Sequence, residues 1–420
     1  MKEKKAKPNE NKKGINEQKI KETVRKTEQL KFSFLEVVIL LLITSLVTIV
    51  TTNTLSKKGV VENKINYNVD INDFINEYNF ILNKYYGEIN SKDLIKNAIA
   101  GMVNGLKDPY SVFINEENAT NFDVELEGEF YGLGVEIIVN DKSQIEVYRV
   151  LDGYNAKTAG ILKGDIITHM DGESIEGLDT AKFRSKMIEN NKQTVTLTIL
   201  RDGKSMDVVI KRALVTIDSV KKGIFESGSA KVGYIGISIF ANNTYKQFKS
   251  ALDDLEKENV DSLIIDVRSN SGGHLAVVTD IISEFVDSNH VIYQIKDANN
   301  TIKQYSTGKR NLNYPIIVLI DSASASASEL LASALKEQAN AKLLGNKSFG
   351  KSTVQQVVDM PNGAKYKITI KEWLTSLGNV INGVGIMPDV EINLSEEYFK
   401  NPSNETDNQL NEAIKLLKKK

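Results

Sequence analysis

The chain has no cysteine among its 420 residues, which removes disulfides, thiolate metal sites and cysteine nucleophiles together. Histidine is nearly as scarce. His169, His274 and His290 are the only three, so a Ser–His hydrolytic site has few sources for its base. Net charge is small: a formal −2 gives no electrostatic reason to expect a nucleic-acid partner. What charge there is lies unevenly, because residues 1–31 carry eleven Lys or Arg against five Asp or Glu and leave the remainder acidic. A hydrophobic fraction of 41% beside 26% charged residues is that of a folded protein with room for two or three domains.

One long apolar run is present, FSFLEVVILLLITSLVTIV from Phe32 to Val50. As a helix its 19 residues span roughly 28 Å, close to the hydrocarbon thickness of a bilayer. A buried core helix is a poor reading of a segment apolar all round beside a lysine-rich head. A cleaved signal peptide is the stronger rival, but no Ala-x-Ala-like site follows and the charged head is longer than such peptides need. The expectation is an uncleaved transmembrane anchor over residues 32–52, with a basic cytoplasmic segment 1–31 before it. The positive-inside rule then puts the chain beyond about residue 55 outside the cytoplasm, as a single-pass cell-membrane protein whose working part is extracytoplasmic.

Four patterns follow a polar linker at 53–69. Over 70–122 the spacing of Ile71, Phe74, Ile75, Tyr78, Leu82 and Tyr85 predicts a helix. SKDLIKNAIAGMVNGL predicts a second, closed by the proline turn KDPYS at Lys107–Ser111. Over 126–213 short strands and turns predict a β-rich module, clearest in a hairpin of alternating Val195, Leu197 and Ile199 with an Arg-Asp-Gly-Lys turn. Over 214–400 strands and helices alternate, the rhythm of an α/β domain. The tail 401–420, ending NEAIKLLKKK, reads equally as an amphipathic helix or a frayed end.

DSASASASELL at 321–331 has the composition of a linker, yet it stands between a buried strand, YPIIVLID, and a helix-compatible SELLASALKEQ. A serine at that junction sits at the positive end of a helix, beside backbone N–H groups able to hold an oxyanion. Local chemistry does not choose among Ser322, Ser324, Ser326 and Ser328, and Ser328 could serve only as a helix cap. The hydroxyl needs a base: His274, or a lysine whose pKa burial has lowered.

SASASE followed by GNKSFGKSTVQQ resembles the carboxy-terminal processing peptidases, S41-type serine proteases with a Ser–Lys pair and a PDZ domain. The likeness runs in order through GMVNGLKDPYS, a PDZ-type module, IIDVRSNSGG, SASASE, FGKSTVQ and GVGIMPDV. It implies a mixed α/β (α+β) catalytic domain, a β-rich PDZ module and an N-terminal helical segment, preceded by one transmembrane helix. It implies Ser326 as nucleophile, Lys351 as base, Gln355 orienting the lysine, and the amides of Gly272 and Ala327 as oxyanion hole, with no metal or cofactor. In YGLGVEI it implies Leu133 and Gly134 as contacts for a peptide's C-terminal carboxylate, with Phe183 or Met187 lining an apolar pocket. The partners implied are protein substrates with accessible C-termini, the membrane through the N-terminal helix, and a second copy of the chain through residues 70–122. Ser271, His274, Asp321 and Ser352 depart from the family pattern. The alternative is a non-catalytic PDZ adaptor on a protease-like fold.

Overall fold

The computed structural model describes residues 70–418 apart from 191, 228–229, 311, 313 and 361–362. The basic segment, the apolar run and the linker expected over 1–69 lie outside the described residues, and no described helix is long and apolar enough to cross a membrane. The chain divides into two units, at residues 89 and 90. Of the first, the described part is essentially one helix, α1 (Ile71–Lys84), begun by Asp70, whose carboxylate accepts the Asn72 N–H at 3.0 Å. Its Ile71, Phe74, Phe80 and Ile81 are all exposed.

The second unit opens with α2 (Ser91–Asn104). The proline turn follows, held by Asp108, which accepts from the Ser111 hydroxyl and the Tyr110 N–H. A short strand β1 (Val112–Ile114) and helix α3 (Glu116–Glu127) come next. The boundary between the two units falls within the expected helical segment 70–122, which also contains the strand β1 and reaches into α3.

The β-rich module comprises β2 (Glu129–Gly132), β3 (Val135–Val139), β4 (Ile145–Val150), α4 (Asn155–Thr158), β5 (Ile166–Met170), β6 (Glu173–Ser174), α5 (Thr180–Glu189), β7 (Thr194–Arg201), β8 (Lys204–Lys211) and β9 (Ala213–Thr216). Its sheet runs β3-β4-β5-β7-β8, and β2 pairs with β9 at the module's neck. The alternation read from sequence buries Val195, Leu197 and Ile199 completely. The β7–β8 hairpin turns through Asp202 and Gly203 at φ 51° and 75°, the paired positive φ that suits a two-residue hairpin.

The α/β part contains β10 (Val220–Ser227), β11 (Ala230–Ile237), α6 (Thr244–Lys257), β12 (Ser262–Asp266), α7 (Leu275–Ile282), β13 (Val291–Lys296), β14 (Thr301–Tyr305), β15 (Ile316–Ile320), α8 (Ala327–Ala339), β16 (Lys342–Gly345), β17 (Thr353–Asp359), β18 (Lys365–Thr375), β19 (Val390–Glu391), α9 (Glu396–Lys400) and α10 (Asn408–Leu417). Its main sheet runs β10-β11-β12-β15-β16-β19, parallel from β11 onward. Every residue of β12 and β15 is buried, as expected of parallel strands covered on both faces. One face packs Phe248, Leu252, Val278, Ile281, Leu330 and Leu331 of α6, α7 and α8. The other packs Ile264, Ile317 and Leu344 against Leu410 and Ala413 of α10. Residues 408–417 are thus a packed helix covering a sheet face, which settles the two readings of the tail. Arg268 fixes this helix by pairing with Asp407 at 2.7 Å and Asp266 at 2.6 Å. A second sheet runs β1-β18-β13-β14 with β17 on β18, so the strand after the proline turn belongs to this part.

Candidate active site

Adjacent parallel strands β12 and β15 end side by side, and the two loops that leave them build the site, the usual location in such sheets. Buried Asn270 ties the loops together. Its carbonyl accepts the Ala325 N–H at 3.0 Å and the Ser328 hydroxyl at 2.8 Å, and its side chain donates to Ile237 O at 2.9 Å. The four serines are thereby separated. Ser324 is buried with its hydroxyl donating to Val267 O, Ser328 is buried on Asn270 O, and Ser322 is exposed. Ser328 is not the helix cap; Ser326 occupies that position.

Ser326 faces a cavity of about 490 Å³ together with Gly272, His274, Lys351, Gln355 and Lys367. Its backbone takes φ 55°, ψ −113°, a sparsely populated conformation for a residue with a side chain and worth roughly 1–3 kcal/mol of strain. Such a sharp strand-to-helix turn lifts the hydroxyl out of the chain's path. Gly272 is forced by this packing: a Cβ there would lie 2.9 Å from Ser326 Cβ and 3.2 Å from Ala327 N, and its φ is +114°.

Lys351 approaches from the loop before β17. Burial pushes its ammonium pKa down to about 8, helped by the nearby charge of Lys367 and opposed by Asp108 and Glu329. Its Nζ lies 4.7 Å over the Tyr110 ring, a cation–π contact. Among the described residues no hydrogen bond joins that Nζ to Ser326 or Gln355. Gln355 instead donates to Thr353 Oγ1 at 2.8 Å and Thr369 Oγ1 at 3.1 Å. The Gly272 N–H, expected to face an oxyanion, donates to Asn270 Oδ1 at 2.8 Å, because Asn270 folds back over the turn it begins. The N–H groups of Ala327 and Gly273 have no acceptor among the described residues. His274 lines the cavity, but its Nε2 is 3.1 Å from Leu126 O, so that nitrogen is engaged as a donor.

The Ser326 and Lys351 backbones share one acceptor that sequence reading passed over. Glu329, fully buried, accepts both N–H groups on Oε2, at 2.9 and 2.8 Å. Its Oε1 accepts the Gly350 N–H and the Ser348 hydroxyl, each at 2.6 Å.

In the β-rich module a second cavity, about 710 Å³, is lined by Leu133, Gly134, Val135, Phe183, Arg184 and Met187. The N–H groups of Leu133 and Gly134 have no acceptor among the described residues. Gly134 has φ +82°, and a Cβ on it would lie 2.1 Å from Tyr154 Cβ. Phe183 and Met187 are each only 4% exposed, so they serve core and cavity together. Helix α3 lies between the Ser326 cavity and α5, the helix whose Phe183, Arg184 and Met187 line the second cavity. Its Asn121 donates to Ser185 Oγ of α5 at 3.2 Å, while its Phe122, Glu125 and Leu126 line the Ser326 cavity.

Comparison with known proteins accounts for the combination. The family model described as peptidase family S41 matches residues 231–392, a PDZ domain model matches 132–211, and a model of the activating protease CtpB N-terminal domain matches 42–118. The carboxy-terminal processing protease CtpB of Bacillus subtilis (strain 168) is 36% identical over 342 residues, covering 81% of this chain and 70% of that one. The chain belongs to the carboxy-terminal processing protease family. A probable CtpA-like serine protease of Staphylococcus aureus (strain MRSA252) is 33% identical over 369 residues, covering 86% of this chain and 73% of that one. Among solved structures, a photosystem II D1 C-terminal processing protease aligns with TM-score 0.46 and 26% identity over 75% of this chain and 85% of that one.

As a carboxy-terminal processing protease the chain is a serine-type peptidase with a PDZ domain. Its sequence offered usable signals for two residues it left unassigned. Glu329 stands three residues after Ser326, the spacing of a helix capping box. Tyr110 lies in KDPYS, where only the proline was read as informative. Lys367 had no local signal at all.

Proposed function

We propose that this protease cleaves protein substrates near their C-termini by a Ser–Lys acyl-enzyme mechanism. Neutral Lys351 takes the Ser326 proton, the serine oxygen attacks a peptide carbonyl, and the lysine returns the proton to the leaving amine. Water then hydrolyses the ester by the same route. Ala327 N–H supports the tetrahedral oxyanion, with Gly273 N–H beside it. Gly272 N–H joins them only once Asn270 releases it. The observation carrying the reading is the convergence of Ser326 and a lysine whose pKa is held near 8 on one cavity.

With Nζ over Tyr110, the lysine is at rest. Productive catalysis swings it toward Ser326 and brings Gln355 alongside. The PDZ groove supplies the trigger: a substrate C-terminus bound at Leu133 and Gly134 is added as a strand beside β3 and shifts α5, which moves α3 over the catalytic cavity. The contacts of Asn121 and Phe122 support that route.

The pH dependence tests the base. Only the neutral amine accepts the serine proton, so kcat/KM is expected to rise about tenfold per pH unit below pH 8 and to level off above it. A profile flat from pH 6 to 9 with a fluorogenic peptide rules out Lys351 as the titrating base.

The reading includes a single-pass anchor at 32–52, an extracytoplasmic catalytic part and a homodimer joined through the exposed apolar side chains of α1. Full-length protein is expected to leave membranes only with detergent and to show twice the chain mass by light scattering. Release by salt alone contradicts the anchor, and a monomer mass contradicts the dimer.

A further inference from the structure

Two lysines enter the Ser326 cavity. The second, Lys367, stands on β18 opposite Val357 of β17 and Val112 of β1. Its neighbour on the same strand face, Lys365, is paired with Asp123 at 3.0 Å and with Asp359. The Lys367 ammonium has neither an ion pair nor a hydrogen bond among the described residues; the Phe122 ring lies 5.9 Å from its nitrogen. Glu125 and His274 line the same cavity without bonding to it. Burial pushes its ammonium pKa down, the signature of a cation removed from water without compensation.

A partly desolvated ammonium without a counterion, in the cavity a peptide must enter to reach Ser326, is a receptor for an anion. Its point charge and rotatable donors suit a carboxylate in varied geometry. We infer that Lys367 binds a carboxylate of the bound peptide, either the terminal α-carboxylate or an Asp or Glu side chain near the C-terminus. The carboxylate completes the pairing that the strand gives Lys365 but withholds from Lys367. Anchored there, it sets the distance between the scissile bond and the charged group. This rests on the reading that the substrate occupies the Ser326 cavity.

A double-mutant cycle on binding tests it. Full-length Ser326→Ala protein in detergent, with and without Lys367→Met, is titrated against labelled ten-residue peptides with apolar C-termini. One arm compares a free C-terminus with an amide; the other compares Asp with Asn at each of the last six positions. Loss of charge is expected to weaken binding about ten- to hundredfold where Lys367 is present, and by far less in Lys367→Met. Any cost of the amide in the PDZ groove is common to both proteins and cancels in the ratio. The arm showing coupling identifies the carboxylate. Equal losses in both proteins in every arm overturn the assignment. Lys367→Gln replaces the methionine variant if the latter does not melt cooperatively, and Lys367→Arg is expected to restore the charge preference. Cleavage of the peptides by the Ser326→Ala protein would overturn the Ser–Lys reading instead, and is seen separately as fragments.

Discussion

Lys351→Met is expected to lower kcat/KM by at least about a thousandfold, the scale of losing one member of a nucleophile–base unit. The same change should leave the fold at least as stable. The ammonium of Lys351 is largely withdrawn from water, with a lowered pKa whose first cause is burial, and its nitrogen meets an aromatic face rather than a carboxylate. Methionine keeps the unbranched apolar stem against Tyr110 and removes the desolvated charge. Ser326→Ala is expected to lose as much activity, and the double variant little more, because nucleophile and base act as one unit. Cleavage of an unstructured protein with an apolar C-terminus, read beside thermal melts, checks all three. Activity in Lys351→Met within tenfold of wild type removes the lysine from the mechanism. Activity surviving in Ser326→Ala moves the nucleophile elsewhere.

Much of the fold was legible because its signals are local. Strand alternation at Val195, Leu197 and Ile199, the Asp-Gly turn, and the apolar runs of β12 and β15 each fit within a few residues. The tail was not legible, because the partners of Leu410 and Ala413 are Ile264, Ile317 and Leu344, far away in sequence. The serines show the same divide. Four similar hydroxyls become different only when the ends of β12 and β15 meet, giving Ser324 the Val267 carbonyl and Ser328 that of Asn270. Ser326 alone is left facing the cavity with Lys351. Family resemblance had already singled out Ser326, but it gave Gly272 an open amide and Gln355 a lysine partner. In this structure Asn270 holds the Gly272 N–H, and Thr353 and Thr369 hold the Gln355 amide, contacts set by side chains that no local motif announces.

Glu329→Gln is expected to cost about 3–5 kcal/mol of stability and about a hundredfold in kcat, with KM little changed. The carboxylate accepts four donors, two on each oxygen, a load only an acceptor-only group carries. In glutamine one oxygen becomes an NH2 group, so at least one buried backbone N–H faces another donor. If Oε2 is the one replaced, the N–H groups of Ser326 and Lys351 lose the bond that holds their loops at a fixed separation. If Oε1 is replaced, the Gly350 N–H loses its acceptor and loosens the lysine loop instead. Either way the base is misplaced relative to the hydroxyl, and misplacement of reacting groups costs rate steeply. A merely structural role would lower stability alone, so the pH profile discriminates. The negative charge of Glu329 raises the Lys351 pKa, and its removal must therefore shift the acid limb of kcat/KM below pH 8. Glu329→Gln with wild-type kcat and an unmoved acid limb would show that the carboxylate braces the turn without positioning the catalytic pair.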